Sequence, residues 1–270
     1  MTSSWLQILL NISVIFVATS VSAPVQALAS VAPKVVSVGI SLLAPLTHHA
    51  KSIAADDIVR LASLGQKTGG TKEIGKILGA KNLPNEVLED AYVRIAIQQG
   101  RISRTEADGM FRRLRNTPGF RSTVSKIVGN SEIKTAGHLN ELRIADSAAE
   151  NGFQVKGIGV RFDDGMKSAQ TDIDILLFKN DRVVAIEAKD YLPTTPIPLD
   201  KFRADMDSLV EYSRKNPSSK VLNVFSITNR PADMASWNLL QKEAERRGVE
   251  LIEGTPNQQI VLIKQLVTDK

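Results

Sequence analysis

Cysteine is absent from this chain of 270 residues, and histidine occurs only three times. Without cysteine, disulfides, thiolate zinc sites and cysteine nucleophiles are excluded. His48, His49 and His138 are too few and too scattered to form a histidine metal site. The sequence also has neither a Ser-His-Asp pattern nor a phosphate-binding P-loop pattern. These absences remove several common classes of enzyme from consideration.

The sequence also shows no repeat with a period of roughly 20 to 50 residues, which argues against a solenoid fold. Hydrophobic residues make up 43% of the chain and charged residues 23%, as is ordinary for a folded soluble protein. Neither global disorder nor a polytopic membrane protein is therefore indicated. The length suits one large domain or two smaller ones, and we expect two folded units.

Charged side chains are missing from residues 1–33. Within this stretch, Trp5–Ala23 forms an apolar run close to the roughly 20 residues that cross a bilayer. Small residues before Pro24 suit cleavage of a signal peptide, but the start lacks the basic residues that such a peptide carries. A second apolar stretch, Val35–Leu46, follows. We interpret residues 1–50 as an apolar segment that is a membrane-inserting hairpin, a cleaved leader with a tail, or a buried pair of helices.

Residues 51–130 show helical character and no strand alternation. Glycine and proline mark the joints between helices, at Gly69-Gly70, Pro84, Gly100 and Pro118. We predict a small helical region that includes helices over 85–99 and 105–114, the second of them basic and amphipathic.

The net charge of +5 is concentrated in the first half of the chain. Residues 1–133 contain 15 Lys and Arg against 9 Asp and Glu, whereas residues 134–270 contain 19 against 20. Within residues 94–126, only Glu106 and Asp108 oppose a basic stretch made of Arg94, Arg101, Arg104, Arg112, Arg113, Arg115, Arg121 and Lys126. Such a stretch suits a polyanion, with Arg112, Arg113 and Arg115 as candidate nucleic-acid contacts. A solvated helical face is the alternative.

After Gly137 the sequence alternates between helical segments and short, strongly apolar runs, which is typical of an α/β domain. We place this domain at residues 131–270. The predicted order is helix 138–150, strands 153–162, 171–178 and 182–189, helix 199–214, strand 220–227, helix 232–247 and strand 249–253. Asn180-Asp181 is predicted to make the tight turn between the second and third strands.

Four charged side chains lie on two of these apolar strands. Asp172 and Asp174 are two residues apart and project from one face, and Glu187 and Lys189 share a face of the next strand. Both strands are apolar at odd and even positions, which indicates burial on two sides. Buried charges must be paired or bind a metal. The alternatives are a metal site and a salt bridge from Lys189 to Glu187 or Asp174, with the acids in water beyond the sheet edge.

Asp174, followed after twelve residues by Glu187-Ala188-Lys189, resembles the motif of the PD-(D/E)xK nuclease superfamily. The resemblance covers about residues 135–255. It implies a core of helix, three antiparallel strands, helix and strand, forming a mixed sheet flanked by helices. The predicted order of elements matches this core.

Upstream, Gly137, Glu141 and Ala145 are spaced as in the first helix of Holliday-junction-resolvase-like members, where the glutamate turns toward the metal. Thr171-Asp172 stands where the family has a proline before its first acid, and we favour Asp174 over Asp172 as that acid. The resemblance implies Mg²⁺ or Mn²⁺ held by Asp174 and Glu187. Glu141 would be a further ligand or hold a water, and Asp172 is another candidate ligand.

The chemistry agrees with these residue types. Hydrolysis of a phosphodiester requires shielding of the phosphate charge and activation of water, which carboxylate-held Mg²⁺ performs without histidine. Lys189 would orient the attacking water or stabilise developing negative charge. Arg230, between a strand end and a helix predicted to begin at Pro231, is a further candidate for a phosphate contact.

A C-terminal nuclease after an apolar and a helical region also resembles effector toxins of contact-dependent growth-inhibition and polymorphic toxin systems. That resemblance implies export, delivery into a neighbouring cell's cytoplasm, cleavage of tRNA or DNA, and a cognate immunity protein. Residues 1–50 would contact the membrane, and residues 51–130 would serve for crossing into the target cell or for contacting substrate. The alternatives are a restriction- or repair-type DNA endonuclease anchored in the producing cell's membrane, and a non-catalytic nucleic-acid-binding module.

Overall fold

A computed structural model describes residues 55–65, 70–80, 82–129, 132–162 and 171–268. The apolar segment expected at residues 1–50 lies outside these described residues. All of the described residues belong to one compact unit. Among their helices, none combines the length and the apolar character needed to cross a bilayer.

Five helices make up the first part of this unit: α1 (Ala55–Gly65), α2 (Gly70–Gly79), α3 (Asn85–Gln98), α4 (Arg104–Leu114) and α5 (Phe120–Gly129). Within the described residues, the predicted helical character and the joints at Pro84, Gly100 and Pro118 are confirmed, while Gly69 lies outside them. Helix α3 is the central one, buried along most of its length and packed against α1, α4 and α5. Helix α4 begins at a capping box, in which the Ser103 hydroxyl accepts a hydrogen bond from the Glu106 amide and the Glu106 carboxylate accepts one from the Ser103 amide.

The second part is an α/β unit with a mixed five-stranded sheet flanked by helices. Its elements are α6 (Glu132–Glu150), β1 (Gln154–Phe162), β2 (Thr171–Lys179), β3 (Arg182–Lys189), α7 (Leu199–Lys215), β4 (Lys220–Ile227), α8 (Met234–Arg247), β5 (Glu250–Glu253) and α9 (Pro256–Thr268). The strands lie in sequence order; β1, β2 and β3 are antiparallel, and β3, β4 and β5 are parallel. The predicted elements are confirmed in type and order, although α6 begins earlier than predicted and α9 was not predicted.

The β2–β3 hairpin determines which residues of the two strands face each other. Asn180 and Asp181 have φ angles of 51° and 57°, and Lys179 pairs with Arg182, so the loop has two residues, as predicted. Two-residue loops with positive φ at both positions match the right-handed twist of the strands and favour Asn and Asp. The ladder runs to the pair Ile175 and Ile186. The next residues in the same register are the two acids of the motif.

A hydrophobic core fills the space between the sheet and the helices α7 and α8. Phe202 and Met206 of α7 and Trp237 of α8 pack with Phe225 of β4 and are almost fully buried. The rings of Phe202 and Phe225 meet edge to face, with centroids 4.6 Å apart. This packing holds α7 against β3 and β4, next to the end of β3 that carries the charged motif.

Helix α9 is attached to the end of β4 through a buried glutamine. Gln259 Nε2 donates to the carbonyl oxygens of Ile227 (3.0 Å) and Gly254 (2.7 Å), and its Oε1 accepts from the Ser226 hydroxyl. The beginning of α9 was visible in the sequence as Thr255-Pro256-Asn257-Gln258, a helix cap with proline at the first helical position. Local signals were therefore sufficient to predict this helix.

The helical part and the α/β part are packed directly against each other. Helix α5 contacts both α6 and β1, and the Ile158 amide donates to the Pro118 carbonyl at 2.9 Å. Gly119 has a φ of 87°, and a Cβ at this position would lie 1.8 Å from the Ile158 carbonyl oxygen. Glycine is therefore required where the two parts meet.

Candidate active site

The ends of β2 and β3 bring together the three residues of the sequence motif. Asp174 and Glu187 lie on neighbouring strands, and the Lys189 ammonium contacts the Glu187 carboxylate and lies 4.0 Å from Asp174 Oδ2. The Asp174 side chain also accepts a hydrogen bond from the Ala188 amide at 2.8 Å. The side chains of Asp174, Glu187 and Lys189 are 16%, 9% and 18% exposed, so the cluster is largely shielded from water.

Helix α7 adds a fourth residue to this cluster. Asp205 Oδ2 lies 3.3 Å from Lys189 Nζ, and both Asp205 oxygens lie 3.1 Å from Lys201 Nζ. Sequence analysis missed Asp205, because an acid four residues after a lysine is an ordinary pattern on a helix surface. Only the packing of α7 against the sheet shows its proximity to the motif.

Helix α6 brings Glu141 close to the same place. Glu141 is 8% exposed, its Oε1 lies 2.9 Å from His138 Nδ1, and its charge acts on Asp174. Burial of this glutamate agrees with its predicted inward orientation. His138, three residues before Glu141 on the same helix, thus contacts this glutamate, as residues at this spacing do.

Asp172 is separated from these residues. It is exposed and lies opposite Arg161 of β1, and within the described residues no ion pair joins it to the cluster. Asp174 is the acid of this pair that lies beside Lys189, and the choice between the two as metal ligand stays a prediction. Among the described residues, the four predicted ligands are not brought together as a set that could hold a metal ion.

The carboxyl groups of the cluster are held in an unfavourable environment. Burial raises the pKa of Asp174 well above its ordinary value, and the nearby charges of Glu187 and Glu141 raise it further. Burial also raises the pKa of Glu187 to about 7, an effect that Lys189 opposes and Asp205 reinforces. Burial alone would lower the pKa of Lys189, but the charges of Glu187, Asp174 and Asp205 outweigh it and raise that pKa. Lys189 is therefore charged, and its single positive charge is outnumbered by the carboxyl groups around it.

The donor set fits a hard divalent cation in its chemistry. Asp174, Glu187 and Glu141 provide carboxylate oxygens, the ligands that Mg²⁺ and Mn²⁺ prefer. A cation among them would offset the repulsion that raises the pKa of Asp174. In the part of the chain that the structure describes, however, no three acidic or histidine side chains are arranged as a ready metal centre. The Lys189 ammonium occupies the space next to Glu187 instead.

Glu187→Gln is expected to stabilise the metal-free protein at alkaline pH. A carboxyl group whose pKa rises from 4.5 to about 7 on folding favours the folded state fully below pH 4.5, and this contribution is lost as pH rises through 7. In EDTA, the variant should gain up to about 3 kcal/mol in unfolding free energy at pH 8 and little at pH 4.5. Urea denaturation at both pH values measures the difference. A variant less stable at pH 8 would show instead that the ion pair of Glu187 with Lys189 stabilises the fold.

Two arginines of the basic stretch pair with carboxylates of other helices. Arg113 makes a bidentate pair with Asp146 of α6, with both distances at 2.7 Å, and Arg115 lies 3.1 Å from Glu86 of α3. Glu106 and Asp108 are the only acids within residues 94–126, but α3 and α6 bring further carboxylates to these arginines. A role of Arg112, Arg113 and Arg115 in nucleic-acid contact stays a prediction. Arg112 remains exposed to solvent.

Arg230 lies apart from the cluster, on the wall of an open cleft of about 860 Å³ between the β4–α8 loop and α9. It is 53% exposed and lies 3.9 Å from Glu253. The prediction that a helix begins at Pro231 is wrong, since α8 begins at Met234. Asp233 caps α8 by accepting hydrogen bonds from the amides at positions 235 and 236, so the chain's own carboxylate occupies the place proposed for a phosphate.

Comparison with models of protein families and with curated proteins finds no match for this chain. The assignment of a function therefore depends on the residues of the cluster and their surroundings.

Proposed function

We propose that this protein is a metal-dependent nuclease of the PD-(D/E)xK type, which hydrolyses phosphodiester bonds of DNA or tRNA. The observation that carries the proposal is the meeting of Asp174, Glu187 and Lys189 in one shielded cluster at the ends of two neighbouring strands. The order of α6, β1 to β3, α7 and β4 supports it. A metal-dependent nuclease would use oxygen ligands for its metal and a cationic side chain close to the scissile phosphate.

Asp174 and Glu187 would hold Mg²⁺ or Mn²⁺, and Glu141 would be a further ligand or would orient a water. When bound, the cation supplies shielding of the phosphate charge and activation of water. Asp174 is fixed for this role by its hydrogen bond from the Ala188 amide, which leaves its second oxygen available. Because β2 and β3 are paired through the hairpin, the two acids are held at a defined separation.

Lys189 would stabilise the negative charge that develops on the phosphate or orient the attacking water. Its ammonium is surrounded by Glu187, Asp174 and Asp205, and its raised pKa keeps it charged at neutral pH. A charged donor held in a shielded site acts more strongly on a transition state than one in water. The strand fixes its position two residues after a proposed ligand.

A non-catalytic role is the second candidate, because the contacts of Lys189 also describe a structural salt-bridge cluster. Such a cluster would be expected to stabilise the fold. Here the carboxylates Asp174, Glu187 and Asp205 crowd around one buried lysine, and the raised pKa values of Asp174 and Glu187 show that ionising these acids opposes folding. An arrangement that weakens the fold is typical of functional sites.

We expect the purified full chain to cleave at least one of three substrates, supercoiled plasmid, total RNA or purified tRNA, in Mg²⁺ or Mn²⁺ and none of them in EDTA. Lys189→Met should abolish this activity, whereas Lys242→Met, a change of the same kind at an exposed position of α8, should not. Gel electrophoresis of the products provides the measurement. Binding of nucleic acid without cleavage by a folded protein would favour the non-catalytic candidate.

As an effector toxin, the protein would be exported and delivered into a target-cell cytoplasm, with membrane contact through residues 1–50 and an immunity protein as partner. A restriction- or repair-type DNA endonuclease anchored in the producing cell is the alternative. Fractionation of the producing culture distinguishes the two, because an effector is exported whereas the anchored endonuclease stays in the producing cell's membrane.

A further inference from the structure

Asp205 is the residue through which α7 contacts Lys189 of the cluster. The helix packs on the sheet through Phe202, Met206 and Leu209, which are spaced by four and three residues and are fully buried. Asp205 lies beside this buried stripe, and its side chain is 17% exposed. One carboxylate therefore joins the lysine of the strand to the lysine at position 201 of the helix.

Other acids of the same helix are oriented differently. Asp207 is 64% exposed and pairs with Arg247 of α8 at 2.8 Å, and Asp200 is fully exposed. Asp205 is thus the acid of α7 that contacts Lys189 among the described residues. Asp207, two residues away and also ion-paired, provides a matched control.

The placement of Asp205 has an electrostatic cost, because its charge raises the pKa of Glu187. A cation held by Asp174 and Glu187 would compete for the oxygens that pair with Lys189. Asp205 belongs to a different element, and it would keep the Lys189 ammonium paired and in place while the strand acids bind the cation. A buried charge that loses its partners is strongly disfavoured, and a partner on a separate element would prevent this loss for Lys189.

Lys201 is held at the rim of the cluster by the same carboxylate. Its side chain is 58% exposed, both oxygens of Asp205 lie 3.1 Å from its ammonium, and its charge acts on Glu187. A lysine that is exposed at its end yet fixed beside the site suits contact with a phosphate next to the one that is cleaved.

We propose that Asp205 is a positioning residue that holds Lys189 beside the scissile phosphate and Lys201 on a neighbouring phosphate of a nucleic-acid strand. This inference rests on the proposed nuclease function. Asp205 itself contacts neither the substrate nor the cation, and its effect passes through the two lysines.

Asp205→Asn is expected to lower the single-turnover cleavage rate at saturating substrate by about 10- to 100-fold, since loss of a precise position has effects of this size. The substrate concentration giving half the maximal rate should change by less than about threefold, because ground-state binding is mostly retained. Asp205→Glu should recover part of the rate, and Asp207→Asn should retain the wild-type rate. Unchanged urea denaturation midpoints would show that the variants are folded.

Lys201→Met tests the proposed contact of Lys201 with a neighbouring phosphate, by a measurement that does not need cleavage. Binding of a fluorescent oligonucleotide in EDTA should weaken. The slope of the logarithm of the binding constant against the logarithm of the salt concentration should fall in magnitude by about one, which corresponds to one ion fewer released. The proposal is overturned if Asp205→Asn cleaves within about twofold of wild type, if Asp205→Glu recovers nothing, or if Lys201→Met leaves the slope unchanged. Wild-type protein that binds but does not cleave would instead refute the nuclease function, while the salt slope still decides the role of Lys201.

Discussion

Asp174→Asn is expected to reduce the single-turnover cleavage rate in Mg²⁺ by at least about a hundred- to a thousandfold, while the protein remains folded. Asparagine keeps an oxygen that can accept the hydrogen bond from the Ala188 amide, so the end of the strand retains its geometry. It removes the charge that a divalent cation requires. The substitution also relieves the repulsion with Glu187, and the metal-free protein should be at least as stable as wild type.

Asp172→Asn is the matched control, because it makes the same change two residues earlier on the same strand. Asp172 is exposed and lies opposite Arg161, so its replacement should change the rate by less than about fivefold. Single-turnover kinetics with saturating protein give both rates, and circular dichroism verifies the fold. If Asp172→Asn caused the greater loss, the assignment of the first acid would be wrong.

The largest effect on stability is expected from Arg94→Met in the central helix α3. Arg94 and Asp90 are each 3% exposed, and the guanidinium makes two hydrogen bonds to the carboxylate, at 3.1 and 2.5 Å. Removal of the guanidinium takes both of these hydrogen bonds and an adjacent positive charge from a buried carboxylate. The expected loss is about 3 to 5 kcal/mol in unfolding free energy, measured by urea denaturation.

Arg112→Met provides the comparison, since it deletes the same charge at an exposed position of α4 and should cost less than about 0.5 kcal/mol. The double variant Arg94→Met, Asp90→Asn should regain part of the lost stability, because the remaining polar group is neutral. A loss of stability in Arg94→Met as small as that in Arg112→Met would show that the carboxylate of Asp90 is adequately stabilised without the guanidinium.

The arginines of the basic stretch show how far a charge pattern can be interpreted without a structure. Eight basic residues opposed by two acids looked like one charged surface, yet Arg94 is buried and Arg113 is paired with Asp146. Their partners lie on other turns or other helices. The net charge of a segment records only its composition. The exposure of each charged side chain depends on which other elements pack against the segment.

The sequence by itself determined the features that depend on local chemistry. Asn180-Asp181 determined the hairpin, because few residues adopt positive φ at two successive positions. Side chains two residues apart on a strand point to the same face, which placed Glu187 and Lys189 together on β3. The pairing register of β2 with β3 then brought Asp174 beside them. The order of helices and strands followed from the apolar periodicity.

Only the tertiary structure showed that Asp205 joins these three. Asp205 lies on α7, and its proximity to Lys189 depends on how that helix packs on the sheet, whereas Glu141 of α6 was already a candidate from the resemblance. Asp172 is exposed nearer the start of β2, whereas Asp174 lies close to Lys189 and accepts a hydrogen bond from the Ala188 amide. Spacing along a chain reports neighbours on one element, but contacts between elements arise from the burial of apolar faces, which orients the polar side chains beside them.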